Sequence, residues 1–384
     1  MAAAPLRGDA VALTRTLVAI DSRNPSLVAG GPGERACAEA LAAALSKWGF
    51  DVELHGTDAA RPNVVARIGR AGGRTLLFNG HLDTVGVEGM THAPWDAEMR
   101  NGRLFGRGAT DMKGGVAAMC AAALRVADAG LDGEVIVAAV ADEEYESIGT
   151  RALIASGVRA DAAIVTEPTR LAICPAHRGF AWLELVVHGR AAHGSRYDIG
   201  IDAITSAAAV LTELDRYQRD VLTKRAHPLL ARPSLHAAII SGGLGLSTYP
   251  DRCSVQIERR TIPGETAADF VREVEDACAR VRAGGTPLEA GIIPGFSQLP
   301  NDTPATHAVV RTLAKSLVRM GERAPVEGLP CWTDAALLSA AGIPAICFGP
   351  GDIGLAHAAE EYVDIGEIER ATGVLSAFVE EWFS

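Results

Sequence analysis

Lysine is almost missing from this chain. Only four lysines occur among its 384 residues, while arginine is abundant, which together with the many alanines indicates a compositional bias of the genome. Positive charge as a whole is also in short supply, because the formal net charge is −11. This balance argues against nucleic acid or an anionic membrane as a partner. An anionic substrate would therefore need arginines placed locally.

Paired cysteines and long hydrophobic runs are missing too. The seven cysteines are scattered and no Cys-x-x-Cys pair occurs, which argues against disulfides and a thiolate zinc site. We expect buried thiols in a soluble, cytoplasmic protein. Residues 1–20 contain charged Arg7, Asp9 and Arg15 and no continuous apolar core. They predict an amphipathic helix and neither a signal peptide nor a membrane span.

Apolar strands and helices alternate in the first part of the chain. The predicted strands cover 63–69, 75–80, 134–144 and 161–168, and the predicted helices cover 116–130 and 151–157. Alternation of this kind predicts an α/β fold with a mostly parallel sheet covered by helices.

The pattern changes near residue 177. Three predicted strands have alternating apolar and polar side chains, as half-exposed strands do; they cover 180–189, 234–243 and 252–265. Helices are predicted at 201–220 and 266–285. This order predicts a small α+β domain with one exposed sheet face or edge. The α/β rhythm returns after residue 296. We therefore expect a catalytic domain in two parts, 1–176 and 297–384, interrupted by an inserted domain at 177–296.

Potential ligands follow apolar strands or lie in glycine-rich loops. They are His81 with Asp83, Asp111, the pair Glu143–Glu144, Glu167 and His357. Each has a structural explanation when taken alone, such as a helix N-cap for Asp111 or a turn for Glu167. However, the acidic pair and Glu167 follow two of the most apolar stretches of the chain. Carboxylates gathered at one end of a sheet repel each other unless protons or cations neutralise them.

Formal charge is consistent with a pair of divalent cations. If Asp111, Glu144 and Glu167 all coordinate, their charge and that of one hydroxide balance two divalent ions. The imidazoles of His81 and His357 complete a nitrogen and oxygen ligand set that suits Zn²⁺ better than Mg²⁺ or Ca²⁺. A two-metal hydrolase also needs a carboxylate that carries the proton of the attacking water. The pair Glu143–Glu144 supplies one, because the ligand set uses only Glu144.

The segments that carry these residues resemble a known family. GHLDTV, GRGATDMKGG, ADEE, TEP, HGRAAHGS, ERRTIPGE and FGPGDIGLAHAAEEYV occur in the order and at the approximate spacing of the M20 metallopeptidases. The nearest branch contains acetylornithine deacetylase and succinyl-diaminopimelate desuccinylase. Each pattern alone is weak, but the ordered set covers essentially the whole chain. The resemblance implies a zinc-peptidase-like catalytic domain, an inserted ferredoxin-like domain for dimerisation or as a lid, and a homodimer.

The resemblance also implies a metal-ligand set. His81, Asp111 and Glu167 would hold one zinc ion, and Asp111, Glu144 and His357 would hold the other, so that Asp111 bridges them. Co²⁺ or Mn²⁺ are alternative ions at such a centre.

Two further roles beside the metals follow from the same resemblance. Asp83 would hold the His81 ring and fix its tautomer. Glu143 would be the general base that takes a proton from water and later delivers it to the leaving amine. A cis peptide is expected at Asp111–Met112.

In the inserted domain, the resemblance implies residues that meet the substrate. His193 corresponds to a histidine that reaches the partner subunit's active site and stabilises the oxyanion. Arg260 corresponds to a residue that binds the substrate carboxylate, and Arg178 stands where relatives have lysine or arginine near the hinge. A surface basic group is the structural alternative for each.

The chain departs from the family pattern at two positions. Gly86 stands where relatives usually have proline. Ser247 stands where relatives usually have an asparagine associated with substrate contacts. Ser247 is therefore a candidate substrate-binding residue, and the preferred acyl group and side chain stay open.

The predicted function is metal-dependent hydrolysis of the amide bond of an N-acyl amino acid. A metallo-dipeptidase or carboxypeptidase uses the same chemistry and stays open, because the pocket and not the metals separates these activities. A non-catalytic metal-binding or ligand-binding protein is the alternative of a different class, but neither Glu143 nor any ligand is missing. A dinucleotide-binding protein is disfavoured, because GRGATDMKGG lacks the G-x-G-x-x-G order. We expect a small-molecule substrate and no nucleic-acid or membrane partner.

Overall fold

The described residues divide between two units, one inserted in the sequence of the other. The computed structural model describes residues 5–56 and 58–384. The first unit contains the residues up to 176 together with 303–327 and 333–384, and the second contains 177–302 and 328–332. The second unit is therefore an insertion in the first, and the chain returns to it briefly at 328–332.

The helices of the described residues vary from 6 to 19 residues in length. They are α1 (Ala10–Val18), α2 (Arg35–Trp48), α3 (Gly114–Asp128), α4 (Ile148–Ala155), α5 (Ala203–Asp220), α6 (Ala267–Ala283), α7 (Ala308–Arg319), α8 (Ala335–Ala340) and α9 (Ile365–Phe383). None of them is long and apolar enough to cross a bilayer.

The strands of the described residues belong to three sheets. They are β1 (Asp51–His55), β2 (Asn63–Gly69), β3 (Arg74–His81), β4 (Glu98–Arg100), β5 (Arg103–Phe105), β6 (Gly133–Val140), β7 (Ala162–Val165), β8 (Ile173–His177), β9 (Gly179–His188), β10 (Ser234–Gly242), β11 (Arg252–Thr261), β12 (Glu289–Gln298), β13 (Asn301–Asp302), β14 (Val326–Leu329), β15 (Ala345–Cys347) and β16 (Tyr362–Asp364).

The first unit is built on a large mixed sheet. Its strands follow the order β1-β2-β6-β3-β7-β15-β8. The central strands β6, β3, β7 and β15 are parallel to one another, whereas β1, β2 and β8 run antiparallel to their neighbours. Helix α3 packs against α1 and α9. The predicted α/β fold with a mostly parallel sheet is confirmed.

Continuous apolar sequence explains why the central strands lie inside. All four residues of β7 are buried, as are seven of the eight residues of β6. Such runs are typical of parallel strands that are covered on both faces. Strand β6 ends at Val140, so the acidic pair lies in the loop after the strand and not in the strand itself.

The second unit has the βαββαβ order of β9, α5, β10, β11, α6 and β12. Its antiparallel sheet has the strand order β10-β11-β9-β12, which is the ferredoxin-like arrangement. Alternate residues such as Leu183, Leu185 and Ile257 form one core with residues of α5 and α6, such as Val210 and Phe270. The opposite face of the sheet lacks a helical cover from either of these two helices.

Strand β12 was not predicted from the sequence. Gly291, Pro294 and Gly295 interrupt its apolar pattern, and its register with β9 shifts between Pro294 and Ser297. A proline and a bulge are tolerated in β12 because it is an edge strand of the sheet.

Candidate metal centre

Three neighbouring parallel strands bring the predicted ligands together in the first unit. His81 is the last residue of β3, the pair Glu143–Glu144 follows β6, and Glu167 follows β7. Strand β3 lies between β6 and β7. Because the carboxyl ends of parallel strands meet at one edge of a sheet, residues from three separate segments converge there.

Asp111 lies between the two predicted histidine ligands. Its Oδ1 is 3.1 Å from Nε2 of His81, and its Oδ2 is 3.4 Å from Nε2 of His357. His357 also approaches Oε1 of Glu144 at 3.1 Å. The two carboxylate oxygens of Asp111 therefore face different histidines, as a bridging ligand requires.

The donor atoms are close enough to share metal ions. One ligand atom each from His81, Asp111 and Glu144 lies within 4.8 Å of the others, and the same holds for His81, Glu143 and Glu167. Imidazole nitrogens and carboxylate oxygens at this spacing fit a divalent transition ion. The residues present thus fit divalent metal ions, but the two groups differ from the predicted ligand sets. Glu144 is grouped with His81 and Asp111, and Glu143, the predicted base, is grouped with His81 and Glu167.

The acids of the cluster are difficult to ionise together. Burial raises the pKa of Glu143 and that of Glu167 well above the ordinary value, and neighbouring carboxylates add to the rise. Burial likewise raises the pKa of Glu144, with a further contribution from Asp111. The site therefore needs positive charge, which protons or divalent cations can supply.

The histidines show the reverse effect. Burial lowers the pKa of His81, but the hydrogen bond to Asp111 and the surrounding carboxylates raise it well above the ordinary value. Hydrogen bonds to Asp111 and Glu144 raise the pKa of His357 to about 10. Both imidazoles are thus placed where the field of the carboxylates attracts cations.

Asp83 contacts both His81 and the acidic pair. Nδ1 of His81 is 2.9 Å from the main-chain oxygen of Asp83, whereas the nearer carboxylate oxygen of Asp83 lies 3.6 Å away. The carboxylate instead accepts hydrogen bonds from the main-chain N–H groups of Glu143 and Glu144, at 3.1 and 3.2 Å. Asp83 therefore orients the histidine with its main chain and the acidic pair with its side chain.

Asp142 and Asn24 complete this support, and sequence reasoning missed both. The amide of Asn24 donates to Asp83 at 2.8 Å and to Asp142 at 3.0 Å. Asp142 has a left-handed backbone, with φ of 68°. It also contacts the buried guanidinium of Arg61 at 2.8 Å. The only sequence signal for Asp142 was its position in ADEE, directly before the acidic pair.

Arg107 and Glu361 form a second support that the sequence did not reveal. Nη1 of Arg107 lies 2.5 Å from Oε2 of Glu361, and both side chains are almost fully buried. Oε1 of Glu361 accepts hydrogen bonds from the main-chain N–H groups of Thr110 and Asp111, at 3.1 and 3.2 Å. Burial raises the pKa of Glu361 to about 7, against the attraction of Arg107. The pair holds the segment that carries the predicted bridging ligand.

Arg107 also reaches the loop that follows His81. Its Nε donates to the main-chain oxygen of Gly86 at 2.8 Å. We call the pair Arg107–Glu361 the ligand clamp. The pair links three segments that each carry a predicted metal ligand, namely those of His81, Asp111 and His357.

Gly115 of the GRGATDMKGG segment permits a close approach of two main chains. A Cβ at Gly115 would overlap the main-chain oxygen of Thr166, at the end of β7. Only glycine lets the start of α3 approach β7 so closely, and this approach brings Asp111 towards Glu167. The Asp111–Met112 peptide is cis, as expected.

The predicted substrate-binding residues lie in the second unit. His193 and Ser247 are neighbours, because the N–H of Gly194 donates to the main-chain oxygen of Ser247 at 2.8 Å. Both residues are exposed, and Nδ1 of His193 is 2.9 Å from the hydroxyl of Ser195.

Arg178 and Arg260 form a separate part of the second unit. Nη2 of Arg178 donates to the main-chain oxygen of Leu230 at 2.7 Å. Nε of Arg260 is 2.6 Å from a carboxylate oxygen of Glu258. Burial lowers the pKa of Arg178, and the positive charges of Arg260 and Arg232 lower it further. Several guanidinium groups therefore share a small region.

An α/β unit with imidazoles and carboxylates gathered at the carboxyl ends of its parallel strands has the architecture of a metal-dependent hydrolase. Sequence comparison defines the family. The chain belongs to peptidase family M20/M25/M40, whose profile matches residues 77–381, and it is a metallo-hydrolase of this family.

Individual relatives differ in their named activities. The chain is 32% identical over 350 residues to an acetylornithine deacetylase of Myxococcus xanthus, covering 88% of this chain and 89% of that protein. It is 30% identical over 381 residues to a putative succinyl-diaminopimelate desuccinylase of Mycobacterium tuberculosis, covering 97% and 99%. Its fold resembles that of aminopeptidase PepT from Bacillus cereus, with a TM-score of 0.80, 19% identity and 99% of both chains covered.

Proposed function

We propose that the enzyme hydrolyses the amide bond of N-acyl amino acids at a centre of two divalent metal ions, with Zn²⁺ as the native ion. The observation that carries this proposal is the convergence of His81, Asp111, Glu144, Glu167 and His357 beside Glu143. The similarity to an acetylornithine deacetylase and to a putative succinyl-diaminopimelate desuccinylase supports an acylated amino acid as the substrate.

The proposed centre divides the chemistry between metals and side chains. Two divalent ions, when bound, polarise the scissile carbonyl and make water acidic enough to attack near neutral pH. Glu143 takes the proton from the attacking water and delivers it to the leaving amine. Its position supports this role, because the carboxylate of Asp83 holds its main-chain N–H while its side chain lies among the ligands.

Residues of the second unit bind the rest of the substrate in this proposal. Arg260 binds the carboxylate of the amino acid, because its planar guanidinium matches two carboxylate oxygens. Arg178 adds positive charge nearby. Ser247 contacts the substrate, and His193 donates to the oxyanion that forms during attack.

We also propose that the active form is a homodimer in which His193 acts on the partner subunit. Strand β10 is an edge of its sheet, and it exposes Ile239 and Ile240 at 58% and 54%. An exposed apolar edge strand is a template for pairing with another chain. A cytoplasmic location is proposed as well, since the chain has no Cys-x-x-Cys pair and six of its seven cysteines are buried.

A hydrolysis panel tests the reaction. The purified enzyme is assayed with Zn²⁺ or Co²⁺ on N-acetylornithine, N-succinyl-diaminopimelate, other N-acetyl amino acids and dipeptides. We expect N-acyl amino acids to be the better substrates and a chelator to abolish turnover. Preferential cleavage of dipeptides would assign the enzyme to the peptidases of the family instead.

Substitution of the proposed base tests the mechanism. Glu143→Gln removes the proton carrier, so kcat should fall by about 10²- to 10⁴-fold. Glu146→Gln is the matched control, because Glu146 is an exposed glutamate close by in the same loop, and it should retain activity. Full activity of Glu143→Gln, or turnover that resists the chelator, would refute the proposal.

A further inference from the structure

An aromatic cluster lies beside Arg260 in the second unit. It consists of Phe180, Trp182, Phe296 and Trp332. The ring of Phe180 is its centre, with centroid distances of 5.2 Å to Trp182, 5.8 Å to Phe296 and 6.4 Å to Trp332. The guanidinium carbon of Arg260 lies 5.5 Å from the centroid of the same ring.

The cluster is on the sheet face that α5 and α6 leave uncovered. Along β9, Ala181 and Leu183 belong to the core, so Phe180 and Trp182 point to the opposite face. Trp182 is 46% exposed. Soluble proteins rarely leave several large aromatic rings together at the surface without a function in binding.

The charges around the cluster favour an anion. Arg178, Arg232 and Arg260 lie close enough for the last two to lower the pKa of Arg178, after burial. The Nε atom of Arg178 is buried and has no hydrogen-bond partner among residues 5–56 and 58–384. Glu258 contacts Arg260, but it also contacts His236 at 3.3 Å. Positive charge therefore exceeds negative charge, which suits a carboxylate ligand.

A groove of about 480 Å³ continues from the cluster across the same face. Trp182 and Ile293 supply its large apolar side chains, and Glu184 and Glu258 supply its carboxylates. Both carboxylates already have partners, since Glu258 contacts Arg260 and Glu184 contacts Ser254 and Arg252. An ammonium group in this groove would have to compete with arginine for either of them.

We propose that the aromatic cluster binds the side chain of the substrate amino acid, and that the enzyme prefers N-acyl amino acids with a large apolar or aromatic side chain. The inference rests on the proposed function, in which Arg260 binds the carboxylate. The carboxylate and the side chain of an amino acid are bonded to the same carbon, so a carboxylate at Arg260 brings the side chain to the rings beside it. A cationic side chain such as that of ornithine meets arginines and paired carboxylates there, and is disfavoured.

Kinetics with a substrate series test this preference. We expect kcat/KM for N-acetylphenylalanine and N-acetylleucine to exceed that for N-acetylornithine by about 10-fold or more. Phe180→Ala should lower kcat/KM for N-acetylphenylalanine by about 10- to 100-fold, mainly through KM. The same variant should lower kcat/KM for N-acetylalanine by a clearly smaller factor, because a methyl side chain does not reach the rings and both substrates share only the carboxylate contact at Arg260. Val318→Ala, at an exposed apolar position of α7 in the first unit, is the control and should change neither substrate.

The outcomes separate this inference from the proposed function. If the enzyme hydrolyses N-acyl amino acids but N-acetylornithine is the best substrate, the inference is overturned and the proposed function stands. The same holds if Phe180→Ala has the kinetics of the wild type. A Phe180→Ala effect that follows the length of the acyl group, at a constant amino acid, also overturns it, because the rings would then bind the acyl group. Hydrolysis of no N-acyl amino acid overturns both.

Discussion

Glu361 is a buried side chain that holds the main chain of Asp111, a predicted metal ligand. Its carboxylate accepts a hydrogen bond from the main-chain N–H of Asp111 and forms an ion pair with the guanidinium of Arg107. Replacement by glutamine leaves the cation of Arg107 buried beside a neutral group, and breaking a buried ion pair in this way is strongly destabilising.

We predict that Glu361→Gln lowers the free energy of unfolding by about 3 kcal/mol and weakens metal binding. Urea denaturation in chelator measures the first effect, and competition with a chromogenic chelator measures the second. Glu381→Gln is the control, since Glu381 pairs with Lys315 at 3.3 Å on the surface and such pairs contribute less than about 1 kcal/mol. Equal effects of the two variants would contradict a special role of the ligand clamp.

His177 gives the second unit a predictable response to pH. The side chain is 1% exposed, and burial lowers its pKa from 6.5 to about 4. The unfolded chain therefore binds the proton at a higher pH than the folded chain does. Stability from this residue is fully present above pH 6.5 and is lost as the pH falls towards 4.

We predict that His177→Phe reduces the loss of stability between pH 7 and pH 4 by up to about 3 kcal/mol, the equivalent of the pKa difference. Urea denaturation of both proteins across this pH range measures the effect. An unchanged pH dependence in the variant would show that His177 is not held neutral in the folded state.

At the residue scale, the sequence drew attention to the clustered histidines and acids and not to the residues that support them. His81, Asp111 and the acidic pair stand out because they follow apolar strands or lie in a glycine-rich segment. Arg107 and Glu361 are separated by 254 residues, and no local pattern links them. Their pairing depends on the packing of β16 against residues 109–113 and could not be predicted from sequence spacing.

Strand β10 is an edge strand that exposes apolar side chains. Its edge carries Ile239 and Ile240, and pairing with the same strand of a second copy would cover both. We predict that Ile240→Lys halves the mass measured by light scattering, because a charge at the paired edge disfavours association. Val318→Lys, on an exposed part of α7, should keep the wild-type mass. A monomeric wild-type protein with full activity would exclude the dimer.

Mixed dimers test whether His193 acts on the partner subunit. Glu143→Gln and His193→Ala should each be inactive alone. Co-expressed, they should restore about a quarter of the wild-type activity, because half of the dimers are mixed and each has one complete site. No recovery in verified mixed dimers would place His193 in its own subunit's site.

At the element scale, predictability depended on the regularity of the apolar pattern. Strands β6 and β7 are largely continuous apolar runs, β3 contains the apolar run 76–78, and all three were predicted within a few residues at most ends. Strand β12 was missed because Gly291, Pro294 and Gly295 break its pattern. Only pairing with β9 makes this segment a strand.

Metal binding should stabilise one unit of the molecule directly. All the predicted ligands belong to the first unit, where the buried carboxylates repel each other. We predict that Zn²⁺ at 100 times its Kd raises the free energy of unfolding by about 2.7 kcal/mol per site. Hydrogen exchange should slow in the loops around His81, Asp111 and His357 and change little in strands β9 to β12. Protection confined to the second unit would contradict this ligand set, and His81→Ala should abolish the effect.

The sequence by itself determined the class of this molecule. Apolar runs that end in acids, and a set of ordered motifs, were enough to predict the α/β fold, the inserted unit and the family. Chain-local patterns carry this information because secondary structure and strand ends depend mainly on neighbouring residues.

Only the tertiary structure decided how the site is held and what lies beside it. The carboxylate of Asp83 accepts a hydrogen bond from the main chain of Glu143, and the ligand clamp links segments that are distant in sequence. Four aromatic rings lie together next to Arg260. These contacts join residues that are far apart in the sequence, so no local sequence pattern predicts them. They form only because the folded chain brings the residues together.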